Sequence, residues 1–400
     1  MVKKYKTVII GAGASGLYCA SALNDCVVLE KTKRPGTKLL MAGSGQCNVT
    51  HGGSIKDFFE HYGSHGKKIR SVLQRHNNIE LCKYLETLGI PLTEREDGKV
   101  FPKSMDAHDV LHGLLKKACA IDLEKEVLSI KNGEDGFSIL TDLGEYNCEN
   151  LVVATGGSSY PTTGSNGKMF SILQRDLGIE IVPPTPALTP VFVENYPFEE
   201  LSGISFKDAG LSIYDGDKKI HKATGDLLLT FKNFSGPVII NNSRYIKNGM
   251  TIEINFLENM DYQGLLAKLK DDFPGNKKTV AGYIAEDLGL PKRFAKLISE
   301  SLELDGKKLS QLGGKEMKDI ANAAAAHRFT VSGLAGFKEA MVTAGGVALD
   351  EVDLKTMESK KYPGLFFIGE VLDIDGDTGG YNLQFAYSSA MAAADKINSL

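Results

Sequence analysis

Thr7–Glu30, TVIIGAGASGLYCASALNDCVVLE, is the stretch that decides the fold. Thr7 to Ile10 is an apolar, β-branched run of the kind that a strand buried on both faces requires. Gly11, Gly13 and Gly16 follow at once in G-x-G-x-x-G spacing. In that spacing the first glycine makes the tight turn, the second lets the backbone approach a pyrophosphate, and the third lets a helix pack closely on the strand. A helix starting at about Ala14 aims free N–H groups and its positive dipole end at the phosphates. Val27 to Leu29 forms a second strand, and Glu30 ends it. An acidic residue about 20 residues after the motif suits a ribose diol, because a carboxylate accepts hydrogen bonds from both hydroxyls. It also disfavours a phosphate at the ribose 2′ position. Glycines mark ordinary turns too, but here strand, spacing, helix and terminal acid agree. The fold class expected is α/β, with a Rossmann-like dinucleotide-binding domain.

The chain has 400 residues, too many for one ordinary core, and the length suggests two or three domains. Its 42% hydrophobic and 24% charged residues are those of an ordinary globular protein. The net charge of −4 gives no general basic character pointing to nucleic acid or an anionic membrane. A small-molecule substrate is expected, with neither nucleic acid nor membrane as partner; the oligomeric state stays open. Six cysteines are scattered without a C-x-x-C pair or a metal-like cluster, which favours a reducing compartment and no metal site. The basic, then apolar start mimics a secretory signal. The glycine-punctuated helix and the return to a strand ending in Glu30 argue against one. With no apolar run of about 18 residues elsewhere, a soluble cytoplasmic protein is expected.

Lys31 opens a long loop, KTKRPGTKLLMAGSGQCNVTH. A loop leaving the carboxyl end of the second strand lies on the ligand side of a doubly wound sheet, so Lys38 and Gln46 to Asn48 come within reach of a cofactor. The bland alternative is a surface excursion. Asp57 to Gly89 reads as helices, Gly98 to Pro102 as a short strand, and Asp106 to Ala120 as an amphipathic helix. Leu123 to Ile130 and Phe137 to Thr141 alternate like antiparallel strands. Leu151 to Ala154 is another buried strand, and Thr155-Gly156-Gly157 after it lets the backbone meet a ligand closely. Pro183, Pro184, Pro186 and Pro190 mark the best candidate for a domain boundary. Beyond them, short alternating segments to about Asn255 suggest an antiparallel β domain, and Tyr262 to Ala326 is predominantly helical. Gly364 to Gly369 is a further short strand, followed by Glu370, Asp373, Asp375 and Asp377. Thr378-Gly379-Gly380-Tyr381-Asn382 then opens a helix, again a place for an anionic or carbonyl edge. Residues 1–190 and 336–400 thus read as a discontinuous dinucleotide-binding domain. It is interrupted by a mostly antiparallel β domain over 191–255 and a helical segment over 256–335 that returns to it.

Taken together, these residues resemble the BaiN/RdsA-type NAD(P)/FAD-dependent oxidoreductases, also called YhiN-like flavoproteins. The stretches that carry the resemblance are GAGASG (Gly11–Gly16), GSGQCNVT (Gly43–Thr50), GKVFPKSMDAHDVL (Gly98–Leu111) and ATGGSSYPTTGSNG (Ala154–Gly167). LLLTFKNFSGP (Leu227–Pro237), VTAGGV (Val342–Val347), TMES (Thr356–Ser359) and GEVLDIDGDTGGYNLQ (Gly369–Gln384) complete them. The resemblance implies one non-covalent FAD in a two-dinucleotide-binding flavoprotein fold interrupted by a β-barrel-like and a helical segment. It implies that Gly11, Ala12, Gly13, Ala14, Ser15 and Gly16 hold the pyrophosphate. Glu30, with Lys31 beside it, would hold the adenosine ribose, and Val127 would meet the adenine through its backbone. Lys38 and Ser44, Gly45, Gln46, Cys47 and Asn48 would lie toward the flavin, and Ala154, Thr155, Gly156 and Gly157 would line the cofactor. Glu370 and Asp373, after Gly369, would contact ribitol or pyrophosphate, and Gly380, Tyr381, Asn382 and Leu383 the isoalloxazine. The family usually has a glycine and an arginine where this chain has Ser44 and Gln46, and a histidine and a glycine in place of Phe231 and Asn233.

A flavin accepts hydride at N5 and passes it to an alkene, an imine or oxygen, so the protein must orient the substrate and move one proton. No residue stands out as the proton donor, and the catalytic residues stay unassigned. Tyr381 is a candidate, or a packing wall. Cys47 is a candidate redox thiol, or a small buried residue. Lys232 could hold an anionic substrate, or be solvated. One G-x-G-x-x-G leaves no separate nicotinamide domain, so NADH or NADPH would dock transiently. The expected function is NAD(P)H-linked reduction of a conjugated C=C bond in a hydrophobic, steroid- or bile-acid-like substrate. The alternatives are a flavin-dependent oxidase of a small amine, a tRNA-modifying flavoenzyme, and a non-catalytic flavin-binding protein.

Overall fold

A computed structural model describes residues 2–400. The chain divides into two units, one running to Ala187 and resuming at Phe337–Leu400, the other Leu188–Gly336.

The first unit is built on strand β1 (Val2–Ile10), whose last residues, Val8, Ile9 and Ile10, are buried. It pairs in parallel with β2 (Cys26–Glu30) on one side and with Gly144–Val153 on the other. Leu365–Phe367 extends the sheet beyond Gly144–Val153, and Ala120–Leu123 extends it beyond β2, both in parallel. The registers Ile10↔Leu29, Ile10↔Val153 and Phe367↔Val153 bring the carboxyl ends of four strands to one edge. Gly11, Glu30, Ala154 and Gly369 therefore emerge close together. Helix α1 (Ala14–Ala22) is buried almost all round and packs on the closing helix Tyr381–Asn398, with Tyr18 edge-on to Tyr387 at 5.3 Å.

Two local readings change. Leu123 and Val127 belong to different strands: Glu124 takes a left-handed φ of 54° and the Lys125 N–H donates to Glu30 O at 2.9 Å. The chain then turns back as an antiparallel meander, Val127–Gly133, Gly136–Thr141 and Gly144–Val153. The division between the two units falls after Ala187, within the proline cluster, and Ile181–Ala187 pairs antiparallel with Val342–Val347. Pro183 and Pro184 fall at its register break, where a missing N–H costs no ladder bond. Cys26 and Cys119 form a disulfide, which the scattered spacing did not announce. The parallel pairing of Val27 with Ala120 sets them side by side, so cysteine spacing alone does not argue for a reducing compartment here. Among the described residues no helix is long and apolar enough to cross a membrane.

The second unit holds a closed six-stranded barrel of Val191–Val193, Phe234–Ser235, Lys218–Leu229, Ser205–Asp215, Thr251–Asn255 and His327–Leu334. Helices Tyr262–Asp272, Val280–Glu286, Lys292–Ser301 and Gly314–Ala325 lie in the same unit. Its core is a knot of aromatic rings. Phe198 is fully buried, with Phe234, Phe256, Phe294 and Phe329 at 5.7–5.9 Å between centroids. Phe198→Ala should cost about 3–5 kcal/mol, measured by urea unfolding.

His327 stacks on Phe329 at 4.3 Å, and its Nδ1 lies 3.2 Å from Ala323 O. Burial pulls its pKa below the ordinary 6.5. The ring is neutral in both states at pH 8, but as pH falls through 6.5 the unfolded chain takes up the proton first. Stability should therefore fall on acidification, and thermal melting from pH 8 to pH 5 should show a smaller fall in His327→Phe.

Candidate functional site

The glycine loop is tight by necessity. Gly11 has φ +106°, and a Cβ there would lie 2.6 Å from Ala154 O; a Cβ on Gly16 would strike Gly11 O. Gly13 is the opposite case, with nothing within 4 Å of where its Cβ would be. The loop is thus pressed against strand and helix on two sides and open on the third, as an approaching phosphate requires. Glu30 is buried, and its Oε2 accepts from the Ala12 N–H at 2.9 Å while Oε1 accepts from the Thr32 N–H at 2.8 Å. Each oxygen keeps a further lone pair for a hydroxyl. The acid therefore also braces the glycine loop itself, a role its position in the sequence does not reveal.

Glu370 is the hub of a second network. Its Oε2 accepts from Lys38 Nζ at 2.6 Å, and its Oε1 accepts from Ser159 Oγ at 2.8 Å and from the Thr343 N–H at 2.8 Å. Lys38 also donates to Ser159 Oγ at 2.6 Å, and Asp373 Oδ1 accepts from the Gly345 N–H at 3.0 Å. Lys38, Glu370 and Asp373 thus tie together loops from distant parts of the first unit. Ser159 and Thr343 were not singled out by sequence; the signal was their place in ATGGSSYPTTGSNG and VTAGGV.

Ser44 has φ +57°, a left-handed conformation between Gly43 at +57° and Gly45 at +86°, which explains why a glycine suits this position. Gln46 Oε1 accepts from Arg95 at 2.8 Å, and the Arg95 guanidinium stacks over Phe101 at 4.0 Å. A guanidinium absent at position 46 thus reaches the same loop from elsewhere. Cys47 is fully buried, and burial pushes its thiol up to about 12, so it is no nucleophile at neutral pH. Asn48 Oδ1, Thr155 Oγ1 and Ser165 Oγ are buried with no hydrogen-bond partner. An orphaned buried polar group costs about 1–3 kcal/mol, which a bound ligand would relieve. Gly156 lies beside Ser165 and Gly157 against Thr343.

At the start of the closing helix, Gly380 has φ +99°, and a Cβ there would meet the Thr50 backbone. Tyr381 is buried between His61, stacked at 4.0 Å, and His51, stacked at 5.6 Å, with Phe58 edge-on at 5.1 Å. Burial raises its hydroxyl to about 12, and the ring is a packing wall. Asn382 pins the preceding turn through both backbone groups of Gly376 at 2.8 Å, and Leu383 is half-buried. Val127, buried, begins its strand. Lys31 donates to Asn166 Oδ1 at 2.9 Å, and burial lowers its pKa. Lys232 belongs to the second unit, its Nζ 5.4 Å from the Phe192 ring centre beside the exposed Phe231.

The glycine cradle, the closing acid and the orphaned polar atoms along one sheet edge fit FAD and define a Rossmann-type flavoprotein. The chain belongs to the HI0933-like protein Rossmann domain family, matched over residues 5–396, and is an FAD-dependent oxidoreductase. It is 30% identical to a ribosomal RNA dihydrouridine synthase of Escherichia coli (strain K12) over 411 residues, 99% of this chain and 98% of that one. It is 28% identical to a 3-dehydro-bile acid delta(4,6)-reductase of Clostridium scindens over 401 residues, 96% and 97% of the two chains. A solved 3-ketosteroid-delta4-(5alpha)-dehydrogenase of Rhodococcus jostii RHA1 shares the fold, with TM-score 0.51, 14% identity and 98% and 97% coverage. Glu30→Ala removes the acceptor of the Ala12 and Thr32 N–H groups and should weaken FAD binding by about tenfold or more, read by flavin fluorescence quenching; unchanged affinity would show the acid is misassigned.

Proposed function

We propose that the chain reduces a C=C bond conjugated to a carbonyl in a hydrophobic, steroid-like substrate, with electrons from NADH or NADPH passing through FAD. What carries this reading is a shared chemistry. A 3-dehydro-bile acid delta(4,6)-reductase acts on an alkene conjugated to a ketone, and dihydrouridine is uridine with its carbonyl-conjugated C5=C6 bond saturated. Both relatives match along nearly the whole chain.

In this reading Gly11–Gly16 hold the pyrophosphate, Glu30 and Lys31 the adenosine ribose, and Val127 the adenine. Ala154–Gly157 and Ser44–Asn48 line the cofactor, with Asn48, Thr155 and Ser165 offering their orphaned oxygens. Lys38, Gly369, Glu370 and Asp373 brace the ribitol side, and Gly380–Leu383 meet the isoalloxazine at a helix N-terminus, where negative charge is favoured. Bound FAD supplies the hydride. The protein must hold the substrate carbonyl, keep water away and deliver a proton.

A second reading, reduction of a uridine in RNA, is favoured by the names of two relatives, 30% and 31% identical to this chain. A small-amine oxidase would need no nicotinamide.

Anaerobic mixing separates these readings. NADH or NADPH should bleach the flavin, and a 3-oxo-Δ4,6 steroid should restore its colour. Restoration by a uridine-containing ribosomal RNA fragment but not by the steroid would move the substrate to RNA. Bleaching by an amine with none by either nicotinamide would overturn the reductase.

A further inference from the structure

A conjugate reduction needs a proton at the α-carbon of the substrate. Tyr381 is a buried wall and Cys47 a buried thiol, so neither serves. A different group stands at Asp377, in the turn before the closing helix. His61 Nδ1 lies 3.0 Å from Asp377 Oδ2, and the Asp377 N–H donates to His61 O at 2.9 Å, so the two residues are clasped through backbone and side chain. Asn382, which holds Gly376 at 2.8 Å, also donates to Asp377 O at 3.3 Å. The His61 ring lies flat on Tyr381, with 15° between planes. Its position, plane and tautomer are thereby set, with Nδ1 committed to the carboxylate. Nε2 makes no hydrogen bond among the described residues, and the side chain is 38% exposed.

We propose that His61, oriented by Asp377, is the proton donor of this site. The assignment rests on the conjugate-reduction reading and places the substrate beside His61, next to the turn that precedes the closing helix. The enone takes one hydride at its β-carbon, and the electron pair of the double bond moves onto the carbonyl as an enolate. The Nε2–H bond of the doubly protonated ring then breaks, a C–H bond forms at the α-carbon, and the carbonyl is restored. The imidazole is left neutral, keeps Nδ1–H on Asp377, and regains its Nε2 proton from solvent. Two electrons and two hydrogens enter the substrate, the electrons originating in the nicotinamide.

The titratable groups in contact with His61 are Asp377, at Nδ1, and Tyr381, under its ring; His51 stacks on Tyr381 in turn, and Asp57 acts on the Tyr381 hydroxyl. His65 is the natural comparison. Its Nε2 lies 3.7 Å from Asp373 Oδ2, an oxygen of the carboxylate that already braces Gly345.

The test compares the parent protein with His61→Gln, Asp377→Asn and Asp377→Glu, folding being checked by circular dichroism. Three readouts are needed: FAD affinity, reoxidation of the reduced flavin by the steroid enone, and α-deuterium washout from the saturated ketone by the oxidised holoprotein, which involves no redox step. His61→Gln should keep FAD affinity within about twofold while reoxidation and washout fall at least about 100-fold. Asp377→Asn should reproduce part of the loss, and Asp377→Glu should restore part of it. Reoxidation and washout at the parent rate in His61→Gln would overturn the donor role, as would a parallel loss of FAD affinity, which would make His61 a cofactor wall. A parent protein that neither reoxidises with the enone nor exchanges the α-deuterium would instead overturn the reduction itself.

Discussion

The structure of the site depends on one carboxylate. Glu30 receives the Ala12 N–H and the Thr32 N–H, and so fixes both the glycine loop after β1 and the chain leaving β2. The loop has no freedom to shift on its own, since Gly11 is pressed on Ala154 and Gly16 on Gly11. What remains is an open face at Gly13 above a helix N-terminus. A buried carboxylate is costly unless hydrogen-bonded, and here the backbone supplies those bonds. The same groups that stabilise the fold thus preorganise the binding edge.

Around that edge the chain uses ionic and polar hubs in place of regular structure. The Lys38–Glu370 pair, at 2.6 Å, is joined by Ser159 and Thr343, so loops far apart in sequence are tied to one another. The turn before the closing helix is held in the same way, by Asn382 on Gly376 and by the His61–Asp377 clasp. A flavin ring and its substrate need rigid walls, because a small misplacement of reacting atoms is costly in rate. The stacking of His61 and His51 on the two sides of Tyr381 stiffens the same turn.

The sheet and its binding edge were legible because the relevant signals are local. β-branched runs, the spacing Gly11, Gly13, Gly16 and the terminal Glu30 all lie within one short stretch. The antiparallel β domain was legible as alternating segments from Val191 onward, its barrel form only through the family resemblance, and the helices as amphipathic runs. What stayed hidden depends on distant pairing. His61 and Asp377 are separated by 316 positions, and Arg95 reaches Gln46 only because a hairpin folds back on the loop. The Cys26–Cys119 bond follows from strand register. The break between Leu123 and Val127 turns on one left-handed residue, Glu124, whose side chain gives no hint of it. Ser44 is the converse, a departure from the family pattern whose meaning emerges from its positive φ.

The most direct test of the central claim is a crystal structure of the protein with FAD bound. The account predicts the pyrophosphate over Gly13, both adenosine ribose hydroxyls within hydrogen-bond distance of Glu30, and the isoalloxazine against the turn at Gly380–Leu383. A ribose turned away from Glu30, or a flavin ring remote from that turn, would contradict it.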